Sequence, residues 1–102
     1  MTLYFDTADR YQITVKLISA ENRVLEKKAA QGLSSQALLT AIASVMQEAG
    51  LNFSQIKAIE FFKGPGSYTG LKVGATVANI LGWLLKIPVN GQKNRIVLPD
   101  YE

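Results

Sequence analysis

The stretch Gly64-Pro65-Gly66-Ser67-Tyr68-Thr69-Gly70 stands between an apolar run at residues 56–62 and a long amphipathic segment at residues 68–86. This order constrains the chain more than any other feature. The run is rich in β-branched and aromatic residues and reads as a buried strand, so a strand, a glycine-rich turn and a helix start follow one another. Glycines let the backbone approach a ligand closely, and the first turn of a helix presents N–H groups without intrahelical partners. The arrangement can therefore hold an anion. It is equally the ordinary way to leave a sheet and pack a helix back on it. Lys72 does not stand in a Gly-Lys-Ser/Thr arrangement, which excludes a P-loop.

Composition narrows the chemistry. The chain of 102 residues has neither cysteine nor histidine. That removes disulfides, thiol chemistry, Ser–His triads and nearly all zinc sites. The 8 carboxylates do not cluster, so no metal site and no catalytic group is expected. Net charge is +3, and only Lys27-Lys28 are adjacent cations. The footprint of a dedicated nucleic-acid binder is missing, which leaves at most weak, salt-sensitive contact with RNA. With 48% hydrophobic and 19% charged residues, the chain reads as one globular domain. Its opening, Met1-Thr2-Leu3-Tyr4-Phe5-Asp6, has no basic n-region. The apolar stretch at 73–87 is interrupted by Thr76, Asn79, Gly82 and Lys86, so no membrane span is expected. A cytoplasmic protein is the expectation.

Periodicity supplies the elements. Residues 2–6 form a short apolar run, and 11–19 alternate, with Tyr11, Ile13, Val15, Leu17 and Ser19 on one side; together they suggest a hairpin. Residues 23–28 read as a third, more polar strand. Ser34 and Ser35 are cap types ahead of Leu38, Leu39, Ile42, Val45 and Met46 at helical spacing, and Gly50 suits the left-handed position after a helix. Residues 87–89 read as a last short strand, because Pro88 disfavours helix in the residue before it. The tail from Gln92 is polar except for Ile96-Val97-Leu98, a loose edge strand. The order β-β-β-α-β-α-β implies a mixed α/β sheet with helices packed on it. Residues 1–91 form the domain and 92–102 a polar C-terminal tail.

Phe5-Asp6-Thr7, Ala49-Gly50-Leu51, the block from Gly64 to Lys72 and Ile87-Pro88-Val89-Asn90-Gly91 occur here in that order. In these motifs the chain resembles the TsaB family of tRNA threonylcarbamoyladenosine biosynthesis proteins, also described as glycoprotease-like or YeaZ-type. The resemblance covers residues 3–91. It implies a single actin-like ATPase (ribonuclease H-like) subdomain, the N-terminal one of the two in the family. It also implies a non-catalytic role beside a TsaD-type catalytic subunit, which transfers the threonylcarbamoyl group to an adenosine of tRNA. The histidine often found before the family's first helix has no counterpart in Gly32-Leu33-Ser34-Ser35.

Two sets of candidate residues follow. Asp6 and Thr7 lie where actin-like ATPases hold phosphate and magnesium, and Gly64, Gly66, Ser67 and Thr69 belong to the turn that would complete a phosphate site. Asp6 equally serves the turn itself, and Ser67 and Thr69 are also cap and turn types. The second set lies on the second helix. Gly70, Gly74, Ala78 and Gly82 recur every four residues as a ridge of small side chains, at a propensity cost of up to about 1 kcal/mol per glycine. Such a ridge admits another backbone, either of the chain's own sheet and first helix or of a partner. Trp83, the only tryptophan, falls with Lys72, Thr76 and Asn79 on the opposite, polar side and reads as an interface anchor or as cover for the sheet edge or tail. The leading expectation is a helix-mediated dimer, with itself or with a TsaD-type subunit, in which tRNA contact is indirect or weak. On this reading Gly74→Leu loosens association and leaves the monomer folded. The alternative is an ATP–Mg²⁺ module that uses Asp6 and the 64–70 turn across a dimer cleft; otherwise no cofactor is expected.

Overall fold

The structure, a computed structural model, describes residues 1–29 and 34–100. Four strands, β1 (Thr2–Asp6), β2 (Ile13–Ile18), β3 (Val24–Ala29) and β4 (Ala58–Phe61), form one sheet in the order β3-β2-β1-β4. β1 is antiparallel to β2 and parallel to β4, and β2 is antiparallel to β3. The period-2 pattern fixes the faces. Leu3, Phe5, Ile13, Val15, Leu17, Ile59 and Phe61 are all buried on one side. In the register, Phe5 stands opposite Val15 on one flank and Phe61 on the other, with the two phenyl rings 6.5 Å apart.

Two helices cover that face. α1 (Ser35–Ala49) lies over β2 and β3 and presents Leu38, Ala41, Ile42, Val45 and Met46 to the core. Ser34 caps its start by accepting from the Ala37 N–H at 3.0 Å, and Gly50 ends it at φ 68°. These are the residues whose types mark them as caps in the sequence. α2 (Tyr68–Leu85) lies over β1 and β4, capped by Ser67. No helix among the described residues is long and apolar enough to cross a membrane.

The chain departs from expectation after α2. Residues 87–89 make no strand; Val89 alone bridges Ile59 in parallel. The backbone turns back at once, through positive φ at Asn90 (49°) and Gly91 (77°), and Val89 and Gln92 exchange both backbone hydrogen bonds. The Asn90 side chain takes the place of the missing strand: its amide donates to the Phe61 carbonyl at 3.1 Å, and its oxygen accepts from the Phe61 N–H at 2.8 Å. The outer edge of β4 is thereby closed to another strand. Asn90→Gly keeps the left-handed backbone accessible and removes both bonds. It is expected to cost about 1–2 kcal/mol in urea unfolding, with an unchanged denaturant slope.

The stretch 96–98 is not an edge strand either. Val97 is buried between exposed Ile96 and Leu98. Its N–H donates to the Asn79 oxygen at 2.9 Å, and its carbonyl accepts from the Asn79 amide at 2.8 Å. Asn79, placed by its type on the polar side of α2, thus fastens residues 92–100 to that helix. A side-chain clamp on one residue satisfies the tail backbone where a sheet neighbour would otherwise be needed.

Candidate functional site

The end of β1 and the glycine-rich turn meet within one chain, and the contact is dense. The Ser67 N–H donates to the Ala8 carbonyl at 2.7 Å, and the Phe62 N–H donates to the Phe5 carbonyl at 3.0 Å. Thr7 is buried, and its hydroxyl donates to the Gly70 carbonyl at 2.6 Å. The Asp6 carboxylate accepts from the Ala8 N–H at 2.9 Å, closing an Asx turn on itself. The Ser67 hydroxyl accepts from the Gly70 N–H at 3.2 Å. Gly66 packs on Ala8 so closely that a Cβ there would clash with it. Gly64, at φ 124°, faces the tail: a Cβ would lie 2.5 Å from the Asp100 carbonyl, while the Asp100 N–H donates to the Lys63 carbonyl at 2.7 Å. Thr69 is exposed on the first turn of α2.

These bonds consume the groups a phosphate cradle would use. The N–H groups of Ser67 and Gly70, the Thr7 hydroxyl and one Asp6 oxygen are engaged within the chain. No group of three or more Asp, Glu, His or Cys able to hold a metal occurs among the described residues. Nearby Tyr4 keeps its proton: burial first, then the carboxylates of Asp6 and Glu60, raise its phenol above the usual 10.0. The residues present do not fit ATP–Mg²⁺ in this chain by itself. Calorimetric titration with ATP–Mg²⁺ is expected to give no saturable heat. Saturable heat that disappears in Asp6→Ala would restore the cradle.

The small-residue ridge is likewise spent internally, which corrects the expectation that it faces a partner. Gly70, Gly74, Ala78 and Gly82 are all buried. A Cβ on Gly74 would stand 2.5 Å from the Thr7 hydroxyl and 3.9 Å from the Phe5 ring, and one on Gly82 would clash with Val89. The backbone admitted by the ridge is that of β1 and of the turn after α2.

The opposite sides of the helices are open. Trp83 is 78% exposed; Ile80 (52%) and Leu84 (58%) accompany it, and Leu39 (44%) stands out from α1. Charges are nearly absent. α1 contains only Glu48, held by Lys27 at 2.5 Å, and α2 only Lys72. At the C-terminal end of α2, Trp83 and Leu84 also line an open groove of about 710 Å³ together with Lys86, Lys93, Arg95 and Ile96. None of these residues except Trp83 stands out in the sequence, because their proximity depends on how the tail is clamped.

The sequence pattern of the TsaD family, tRNA N6-adenosine threonylcarbamoyltransferase, matches residues 20–93. The chain is 37% identical over 60 residues to the tRNA threonylcarbamoyladenosine biosynthesis protein TsaB of Haemophilus influenzae, a stretch covering 59% of this chain and 25% of that protein. It is 44% identical over 54 residues to a tRNA N6-adenosine threonylcarbamoyltransferase of Nitrosospira multiformis, covering 53% of this chain and 16% of that protein. Among solved structures, YeaZ from Pseudomonas aeruginosa superposes with a TM-score of 0.78 at 33% identity, over 86% of this chain and 42% of YeaZ. The α/β architecture is thus of the actin-like, ribonuclease H-like kind. The chain spans about a quarter or less of the length of the curated relatives it matches. With the family pattern covering most of its residues and YeaZ sharing its fold, the chain belongs to the TsaD family as a TsaB/YeaZ-type member.

Proposed function

We propose that this chain is a non-catalytic interaction unit that supports formation of N6-threonylcarbamoyladenosine in tRNA, by pairing its two helices with those of a TsaD-type catalytic subunit. The observation that carries this reading is the pair of helices with one charge each and with Leu39, Ile80, Trp83 and Leu84 turned to solvent. A helix destined for water ordinarily carries a charged outer stripe, and the centres of protein interfaces are depleted in charge and rich in aromatic residues. The names of the relatives, which include both TsaB and the transferase itself, supply the partner. A second copy of the chain would use the same face, in competition with that subunit. tRNA is then reached through the catalytic subunit, in the cytoplasm.

The absence of histidine and cysteine, and the Thr7 and Ser67 hydroxyls bonded to backbone groups of Gly70, support a role without chemistry of its own. Titration of the chain into a TsaD-type subunit tests the pairing. The expected result is saturable one-to-one binding. No binding to that subunit, and a stable monomer at high concentration, would refute it.

A further inference from the structure

The groove beside Trp83 has a chemistry of its own. Its cations, Lys86, Lys93 and Arg95, are spread along the sequence, yet the fold gathers them around one concavity with no carboxylate among its described lining residues. None of the three takes part in an ion pair among the described residues. Compensation of the negative end of the α2 dipole accounts for at most one of them, Lys86, which is the helix C-cap. Lys93 and Arg95 belong to the clamped tail, where the Asn79–Val97 pair fastens the backbone next to Arg95 and Ile96. The groove is therefore preformed, cationic and walled on one side by an exposed indole.

We propose that this groove binds single-stranded RNA, with one base stacked on Trp83 and the flanking phosphates on Lys93, Arg95 and Lys86. An aromatic platform beside unpaired cations is the arrangement that holds single strands without reading a fixed sequence, since every base has a π-face. Its volume of about 710 Å³ suits one nucleotide with part of its neighbours. An acidic protein segment would satisfy the cations, but a base gains more than a carboxylate side chain from the flat face of the indole, and this favours RNA. The groove shares Trp83 and Leu84 with the helix face proposed for pairing, so RNA and a TsaD-type subunit would compete for it, while each is tested in the absence of the other. Failure to bind a TsaD-type subunit leaves it standing, and failure to bind RNA leaves the pairing standing.

Because Trp83 is the only tryptophan, its fluorescence reports the site directly. Titration with a ten-nucleotide oligoadenylate is expected to quench it saturably, and more strongly than a duplex of equal length, whose bases are already stacked. Three phosphate contacts predict a log–log salt slope of about −2, a weakening of roughly 15- to 20-fold between 50 and 200 mM salt. In the exposed double variant Lys93→Gln/Arg95→Gln, which leaves the helices untouched, the slope should fall to about −0.7. Trp83→Ala, followed by anisotropy of labelled RNA, should bind at least about fivefold more weakly. No quenching, a slope unchanged in the double variant, or equal competition by polyglutamate would overturn the proposal, the last in favour of an acidic protein.

Discussion

Gly74→Leu is expected to unfold the domain and not merely to loosen an interface. Even the first carbon of a side chain at this position would sit 2.5 Å from the Thr7 hydroxyl, and the rest of a leucine would have to displace the Phe5 ring. Phe5 is fully buried and stacked on Phe61 at the centre of the sheet, so nothing there can yield cheaply. Overpacking alone costs about 1–3 kcal/mol. Forcing α2 away from β1 also breaks the buried bond from Thr7 to Gly70 and strands a hydroxyl, at about 1–3 kcal/mol more. Together these come to about 2–6 kcal/mol, which reaches the lower end of the stability of a small domain, about 5–15 kcal/mol. Urea unfolding monitored by circular dichroism should show the variant largely unfolded or at a far lower midpoint. A native-like midpoint would mean that α2 can move off β1 freely. The periodicity of small residues correctly announces a close backbone approach, but spacing alone cannot say whose backbone arrives.

Ile80→Glu should do the reverse: abolish pairing and leave the fold intact. Ile80 is half exposed and belongs neither to the core nor to the groove. Replacement by a carboxylate at a surface position changes stability by no more than about 0.5 kcal/mol. In a helix-to-helix contact, however, the same carboxylate would be buried without a partner. A loss of at least about 2 kcal/mol, some 30-fold in affinity, is expected, as for a central interface position. Calorimetric titration into a TsaD-type subunit reads the loss, and the unfolding midpoint controls for the fold. Leu39→Glu tests the α1 side of the same face in the same way. If both variants bind like the parent chain, the partner docks elsewhere.

Most of the fold can be read from residue types. The alternation at Ile13, Val15 and Leu17 sets β2 and its buried face, and Ser34, Gly50 and Ser67 mark helix ends whose geometry is local. The region after α2 cannot be read this way. Pro88 correctly ends the helical run, but a side chain, Asn90, completes the β4 edge where a strand is expected, and Asn79 holds the tail from another element. Both clamps join residues 18 or 29 positions apart, a relation no local pattern carries. The candidate site follows the same division. The meeting of Asp6 and Thr7 with the 64–70 turn is legible only through the family resemblance, because it rests on the parallel pairing of β1 with β4, whose partners lie 56 positions apart. That their donors are spent on one another is not, since Ser67, Thr69 and glycine serve cap and cradle alike. Gly32 and Leu33, where the family's histidine would stand, lie outside the described residues.

On the proposed function, the outer faces of α1 and α2 are a docking surface for a catalytic partner. Sedimentation equilibrium of the chain mixed in equal amounts with a TsaD-type subunit tests it most directly. A single species is expected, with a mass equal to the sum of the two, separating into its components when the chain carries Ile80→Glu. Two independent species with the parent chain, at concentrations well above micromolar, would contradict it.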